Sequence, residues 1–258
     1  MGAETAIPWC DSSYNPWIGC SKISPGCENC FAEAMMDKRL KQVKWGPGNP
    51  RKRTSIANRQ KPSKWNLEAE KSGVRRRVFC ASLADVFDNE VPTVWREDLF
   101  SMIRDTPNLD WIILTKRIGN VSKMLPSDWG EGYPNVWLLM TAVNQEEYDR
   151  DLMKLLDVPA VVHGVSIEPQ LGPINLHLGG ILSKDMNLGY APVGSVLDWI
   201  ITGAESGHGA RPYKEEWARS LRDQCSDVNA FFYKQNVIDG KKIETPELDG
   251  QRWMEFPK

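Results

Sequence analysis

The sequence lacks any apolar run long enough to cross a membrane. Apolar stretches such as VWLLMTAV, at residues 136–143, are far shorter than the roughly 18 residues that a spanning helix needs. The N-terminal residues, MGAETAIPW, contain no basic region followed by an apolar stretch, so they do not look like a secretion signal. We expect a cytoplasmic protein without membrane attachment, in which cysteines stay reduced.

Internal repeats and low-complexity tracts are also missing. The 258 residues are 41% hydrophobic and 26% charged, which is typical of a soluble globular enzyme. A chain of this length can bury a sizeable core, and we expect one domain over residues 1–258.

The net charge is small, but the charges are unevenly distributed. The chain has 32 basic and 34 acidic residues, for a formal net charge of −2. Residues 38–77 contain 14 lysines and arginines and only two acidic residues, which leaves 18 basic and 32 acidic residues elsewhere. This asymmetry favours a polyanionic partner. The alternative is a solvated insertion that binds nothing.

Short apolar runs alternate with helix-like stretches after the basic segment. They occur in RRVFCASLADVFD, LDWIILTKR, VWLLMTAVNQ, AVVHGVSIEP, LDWIITGAES and AFFYKQ, with amphipathic stretches such as VPTVWREDLFSMIRDT and EEYDRDLMKLLD between them. The pattern predicts an α/β fold with a parallel sheet, arranged as a full or partial barrel of about six to eight β/α units. An open doubly wound sheet is the alternative. The Gly- and Pro-rich residues 44–65 predict an insertion loop within a basic insertion at residues 38–77.

Polar residues follow each apolar run and should converge at the carboxyl ends of the strands. They are Ser82, Asp85, Thr115, Lys116, Thr141, Asn144, Ser166, Glu168, Gly203 and Glu205. A ring of hydroxyl, carboxylate and amide groups suits a polar cofactor. For each residue the alternative is a helix N-cap, a common role of Ser, Asp and Asn at strand-to-helix junctions.

Cysteine is scarce, yet three of the six cysteines share one loop. Cys20, Cys27 and Cys30 lie in NPWIGCSKISPGCENCFAE, residues 15–33, with C-x6-C-x2-C spacing. Three thiolates would hold a [4Fe–4S] cluster and leave one iron open for a small ligand. The alternatives are a four-ligand zinc site completed by Cys10, a redox pair, or buried inert thiols. The last interpretation suits Cys80 and Cys225.

The cysteine segment resembles the signature of a phage and bacterial family of unknown function that is grouped with radical S-adenosylmethionine (SAM) enzymes. The segments SLADVFD, ILTKR, VSIEPQLGPI, GAESGHGARP and FFYKQ are similar to landmarks of that family, in the same order and over nearly the whole chain. The chain departs from the family in having Val143 in place of an acidic residue and Ala204 in place of a glycine. If phage-encoded, it would work in the host cytoplasm.

The resemblance implies a [4Fe–4S] cluster on Cys20, Cys27 and Cys30, which cleaves SAM to a 5′-deoxyadenosyl radical after reduction by a donor such as flavodoxin or ferredoxin. Ser82 and Asp85 are candidates to bind the SAM amino group. Thr141, Asn144 and Ser166 are candidates for its ribose or carboxylate, and Glu168 and Glu205 for SAM or substrate.

The resemblance to spore photoproduct lyase, together with the basic segment, implies a DNA substrate. We expect a modified thymine in phage DNA, with a glycyl group moved from a nitrogen link to a carbon link. The candidate phosphate contacts are Lys116, Arg117, Arg211, Arg51, Lys52 and Arg53, and Trp45 or Trp65 could stack on bases. The alternatives are a DNA repair lyase, a radical SAM enzyme acting on a metabolite or peptide, and a zinc-stapled nucleic-acid-binding protein without catalysis.

Overall fold

The structure is a computed structural model that describes residues 5–176, 197–207, 209–225 and 229–258. It divides into two compact units. The first comprises Met1–Leu139 with Asp157–Val161, and the second comprises Met140–Leu156 with Val162–Lys258. Each unit is described by itself. No helix among the described residues is both long enough and apolar enough to span a membrane.

The first unit is built around short parallel strands. Its strands are β1 (Ser12–Tyr14), β2 (Trp17–Ile18), β3 (Lys52–Arg53), β4 (Arg76–Cys80), β5 (Leu109–Thr115) and the first part of β6 (Val136–Thr141). β4 pairs in parallel with β1 on one side and with β5 on the other. β2 and β3 form a separate antiparallel pair. Val78, Trp111, Ile112 and Ile113 are fully buried, as expected for parallel strands covered on both faces.

Helices and turns connect these strands. They are a 3-10 turn (Pro25–Cys27), α1 (Phe31–Glu33), a π-helical turn (Ala34–Arg39), α2 (Ile56–Arg59), α3 (Lys61–Ser72), α4 (Thr93–Arg104) and α5 (Ile118–Met124). In α4, Leu99, Phe100 and Ile103 are buried, which is the spacing of an apolar helix face turned toward a core.

The second unit repeats the alternation of strand and helix. After the end of β6 come α6 (Gln145–Leu156), β7 (Val162–Ile167), β8 (Trp199–Gly203), α7 (Glu215–Gln224), β9 (Ala230–Ile238), β10 (Lys241–Glu244), β11 (Glu247–Leu248) and β12 (Gln251–Arg252). β8 pairs in parallel with β7 and β9, while β10 returns antiparallel to β9. The α/β class predicted from the sequence is confirmed: all six apolar runs contain strands, and both amphipathic stretches contain helices.

The predicted insertion loop at residues 44–65 is wrong in part, because the structure contains β3, α2 and the start of α3 there. Ser55 caps α2 by accepting a hydrogen bond from the Asn58 N–H at 3.3 Å. Pro62 lies in the first turn of α3, where its missing N–H costs nothing. Of the prolines and glycines that indicated a loop, Pro62 therefore starts a helix, whereas those at residues 46–50 lie outside helices and strands.

Candidate active site

The cysteine loop follows β2 in the first unit. All three of its cysteines are free and partly exposed. The turn before them requires Gly19, whose φ is +113°. A side chain at this position would place its Cβ 3.1 Å from Cδ of Arg51 and 3.2 Å from Cγ2 of Val43. The Gly19 N–H donates to the Leu83 carbonyl at 3.1 Å, which fixes the start of the loop just beyond β4.

Cys20 is held by a buried arginine. Arg117, which follows β5, donates through Nη1 to the Cys20 Sγ at 3.3 Å and through Nη2 to the Ser21 carbonyl at 2.9 Å. Burial, reinforced by the charge of Asp85, raises the pKa of the Cys20 thiol to about 12, while Arg117 acts in the opposite direction. A sulfur in this environment becomes a thiolate most readily by binding a metal, since the metal displaces the proton.

Asp85 joins the ends of β4 and β5. Its carboxylate accepts hydrogen bonds from the Thr115 hydroxyl at 2.8 Å and the Lys116 N–H at 3.2 Å, and Arg117 lies 3.4 Å from its Oδ2. Burial lowers the pKa of Arg117, but its interactions with Asp85 and Cys20 outweigh burial, so the pKa of Arg117 lies above its ordinary value. The sequence therefore placed Asp85 correctly beside Thr115 and Lys116, and the structure adds Arg117 and Cys20 to the same cluster.

Asn15 links the cysteine loop to Ser82, and the sequence analysis missed it. The Asn15 side chain is fully buried. Its Nδ2 donates to the Ser82 hydroxyl at 2.9 Å, and its Oδ1 accepts from the Leu83 N–H at 2.7 Å. Its only signal in the sequence is that it begins the cysteine segment, residues 15–33, which carries the family resemblance.

Arg51 has a structural role rather than a surface role. Its side chain is 0% exposed. It donates to the Asp88 carboxylate at 2.7 Å and to the Ser21 hydroxyl at 2.8 Å. Arg51 thus ties the residue after Cys20 to a buried carboxylate, and a DNA phosphate has no access to it. Asp88 was missed as a site residue because its partner lies 37 positions away.

The other basic residues proposed for DNA lie nearer the surface. Arg53 forms an ion pair with Asp98 and lies over the ring of Trp95, 5.5 Å from its centroid. Lys52 is exposed and donates to Gln42 at 2.5 Å. Lys116 is half-buried and forms no ion pair with a described residue. Trp45 and Trp65 are 8% and 3% exposed, so neither presents a ring face on which a base could stack.

Three unpartnered oxygen atoms lie at strand ends in the second unit. Thr141 Oγ1, Ser166 Oγ and Glu168 Oε1 are buried and have no hydrogen-bond partner among the described residues. The other Glu168 oxygen accepts a hydrogen bond from Lys234 on β9. The Ala142 N–H donates to the Ser166 carbonyl at 3.3 Å, so Thr141 and Ser166 end neighbouring strands. Buried polar atoms without partners are rare, and a polar ligand is one explanation for them.

Lys234 on β9 reaches Glu168, just after β7, across the intervening strand β8. Ser166 pairs with Ile201 on β8, and Ile201 pairs with Phe232 on β9. The register of β8 and β9 shifts next, because Thr202 pairs with Tyr233 but Gly203 pairs with Gln235, which leaves Lys234 at an irregularity of β9. Lys234 was not among the site residues predicted from the sequence.

Two further predicted residues have roles within the fold. Asn144 Oδ1 accepts from the Glu147 N–H at 2.9 Å, and the Glu147 carboxylate accepts from the Val143 N–H at 3.0 Å. Asn144 is therefore a helix cap for α6, the alternative that the sequence left open. Glu205 accepts hydrogen bonds from Arg211 Nε at 2.9 Å and from Arg211 Nη2 at 2.5 Å. The guanidinium of Arg211, a predicted phosphate contact, therefore binds a carboxylate of the protein.

The cysteine loop has the donor chemistry for a [4Fe–4S] cluster. Among the described residues, no group of three or more His, Cys, Asp or Glu side chains is placed to hold a single metal ion. A cluster places each of its three thiolates on a different iron, so the sulfurs need not converge on one point. Cys20 and Cys30 pack against the same buried residues, Trp45 among them. Lys22 lies close enough to Cys27 and Cys30 for their charges to interact.

Cys10 lies apart from this loop. It is buried at the amino-terminal end of β1, where the Asp11 N–H donates to the Arg77 carbonyl at 2.9 Å. Cys20 and Asp85 instead follow the carboxyl-terminal ends of β1 and β4, which run in parallel. The geometry therefore does not favour Cys10 as the fourth ligand of a zinc site.

The family described as a protein of unknown function (DUF5131) matches residues 4–257. No curated protein and no solved structure matches the chain.

Proposed function

We propose that this chain, which belongs to the DUF5131 family, is a radical SAM enzyme. The observation that carries the proposal is the loop of three free, partly exposed cysteines, one of which is held by buried Arg117 at the ends of β4 and β5. The proposal includes a fold of the radical-SAM barrel type, which the parallel strand pairs of each unit support.

Cys20, Cys27 and Cys30 would hold the cluster. When bound and reduced by a donor such as flavodoxin or ferredoxin, the cluster supplies the electron that cleaves SAM to a 5′-deoxyadenosyl radical. The chain's own residues position the cysteines: Arg117 holds Cys20, and Arg51 holds Ser21.

The second unit supplies candidate contacts to SAM or substrate. Thr141 and Ser166 offer buried hydroxyls, and Glu168 offers a buried carboxylate oxygen, none with a partner among the described residues. In the first unit, Asp85 and Ser82 remain candidates, although both already bond protein groups. Asn144 and Glu205 are weaker candidates, because one caps a helix and the other holds Arg211.

The proposed substrate is a modified thymine base in DNA. The proposed reaction is an isomerisation: the bond between the thymine methylene carbon and the glycyl nitrogen breaks, a bond from that carbon to the glycyl α-carbon forms, and the hydrogen lost from the α-carbon is replaced by one gained on the nitrogen, so atoms balance and no net oxidant is needed. The support is the resemblance and the surplus of basic residues at 38–77. Among the predicted phosphate contacts, half-buried Lys116 and exposed Lys52 fit this role best.

SAM cleavage tests the proposed function. Protein reconstituted anaerobically with iron and sulfide, then reduced with dithionite, should convert SAM to 5′-deoxyadenosine and methionine, measured by mass spectrometry. Single-stranded DNA that carries glycyl-thymine should increase the rate, since the base must leave the duplex to be reached. Production of methylthioadenosine alone, or no cleavage by protein with its full iron content, would contradict the proposal.

A further inference from the structure

Arg117 is positioned differently from a substrate-binding arginine. Its side chain is 7% exposed, and its guanidinium is occupied by protein groups. Nη1 donates to the Cys20 sulfur and approaches Asp85, while Nη2 donates to the Ser21 carbonyl and lies 3.9 Å from Asp88. A DNA phosphate would have to displace two buried carboxylates to reach it.

The partners of Arg117 are themselves fixed. Asp85 is held by the Thr115 hydroxyl and by the Lys116 and Phe87 N–H groups. Asp88 is held by Arg51. The direction of the guanidinium toward Cys20 therefore follows from a packed network, not from one contact.

Cys20 is distinct among the three cysteines in this respect. The cation near Cys27 and Cys30 is Lys22, which is 42% exposed and forms an ion pair with Glu33 at 2.8 Å. Solvent screens the charge of such a lysine. The buried guanidinium acts on Cys20 with little screening and adds a directed N–H donor.

Hydrogen bonds to a ligand sulfur are one means by which a protein sets the reduction potential of an iron–sulfur cluster. A donor and a positive charge stabilise the more negative, reduced state, so they raise the potential. We propose that Arg117 is a positioning residue that holds Cys20 in place for the cluster and raises the cluster's reduction potential. This inference rests on the proposed function.

Reduction potential measured in the absence of SAM tests it. We expect Arg117→Gln to retain about four irons per chain but to show a more negative midpoint potential than the wild type in a redox titration followed by electron paramagnetic resonance. Arg117→Lys keeps the positive charge but loses the paired guanidinium donors. Its midpoint potential should lie between those of the wild type and Arg117→Gln.

Arg96→Gln is the matched control. Arg96 is also a buried arginine, and it donates to the carbonyls of Val86 and Asp88 without contacting a cysteine. We expect its substitution to leave the midpoint potential unchanged.

The outcomes separate this inference from the proposed function. If the wild type binds no iron, the proposed function fails and the effect on potential fails with it. If the wild type binds iron and cleaves SAM but Arg117→Gln has the same potential, only the inference is overturned. It is also overturned if Arg96→Gln shifts the potential equally. If both Arg117 variants fail to bind iron while Arg96→Gln binds it, the positioning of Cys20 by Arg117 is supported and the claim that Arg117 only tunes the potential of an otherwise intact cluster is overturned.

Discussion

Two buried hydroxyls show how single residues can mark a ligand site. Thr141 and Ser166 are 4% and 1% exposed, and their oxygens have no partner among the described residues. A buried polar atom that loses its bonds to water destabilises the fold unless something else satisfies it. Both residues were predicted from their position after apolar runs, but a sequence cannot show which strand-end hydroxyls lack a protein partner.

Replacing these hydroxyls should weaken ligand binding without weakening the fold. We expect Thr141→Val and Ser166→Ala each to reduce the affinity for SAM by about 0.5–1.5 kcal/mol, the usual contribution of one hydrogen bond. The melting temperature should be unchanged or higher, because an unsatisfied buried hydroxyl is removed. Isothermal titration of cluster-loaded protein and thermal unfolding measure the two effects. Ser220→Ala, at an exposed position of α7, is the control, and a fall in melting temperature with unchanged affinity would make both residues structural.

At the residue scale, two arginines account for the main difference between the roles predicted from the sequence and the roles seen in the structure. Basic residues were assigned to a DNA-binding surface either from the local surplus of charge or from their place just after a strand-like run. Arg51 and Arg117 are instead buried against Asp88 and Asp85, which lie more than 30 positions away in the sequence. Ion pairs between distant residues leave no periodic or local pattern.

At the scale of elements, the strands from β4 onward were easier to predict than the helices within residues 44–65. Each apolar run contains a strand because parallel strands buried on both faces are uniformly apolar. Residues 44–65 carry glycines and prolines, whose frequency in turns obscured α2 and α3. In α3 the apolar residues Trp65 and Ala69 are four positions apart and buried, which is a helical spacing.

The end of α3 offers a test of this element. Gly73 follows the last helical residue with φ of +68°, and an added Cβ would meet no atom within 4 Å. The cost of a side chain is therefore conformational only, and we expect Gly73→Ala to lower the free energy of unfolding by about 1–2 kcal/mol. Gly73→Asn should cost less, because asparagine tolerates the left-handed region. Urea denaturation measures both, and equal stability of the three proteins would contradict this description of the helix end.

At the scale of the whole molecule, the charge distribution is the basis for proposing a DNA substrate. Part of the basic surplus at residues 38–77 is neutralised within the fold, by Asp88 on Arg51, Asp98 on Arg53 and Asp110 on Arg75. Lys41, Lys44 and Lys52 are exposed. Lys52 donates a hydrogen bond to Gln42, which lies between Lys41 and Lys44 in the sequence. These lysines are the better test of the basic segment.

We expect the triple variant Lys41→Ala, Lys44→Ala, Lys52→Ala to bind single-stranded DNA more weakly and with a smaller dependence on salt. Each lost phosphate contact should reduce the log–log salt slope by about 0.7. Fluorescence anisotropy across a salt series measures this. The control with the same change of charge replaces Lys154, Lys241 and Lys242 with alanine. Equal affinities and slopes for both variants and the wild type would leave the basic segment as a solvated surface.

The iron content of the protein tests the central claim most directly. After anaerobic reconstitution, the wild type should contain about four irons per chain, as should Cys10→Ala and Cys225→Ala. The variants Cys20→Ala, Cys27→Ala and Cys30→Ala should each lose the cluster and its absorption in the visible range. A single zinc ion per chain that depends on Cys10, or full iron content in any of the three loop variants, would contradict the account.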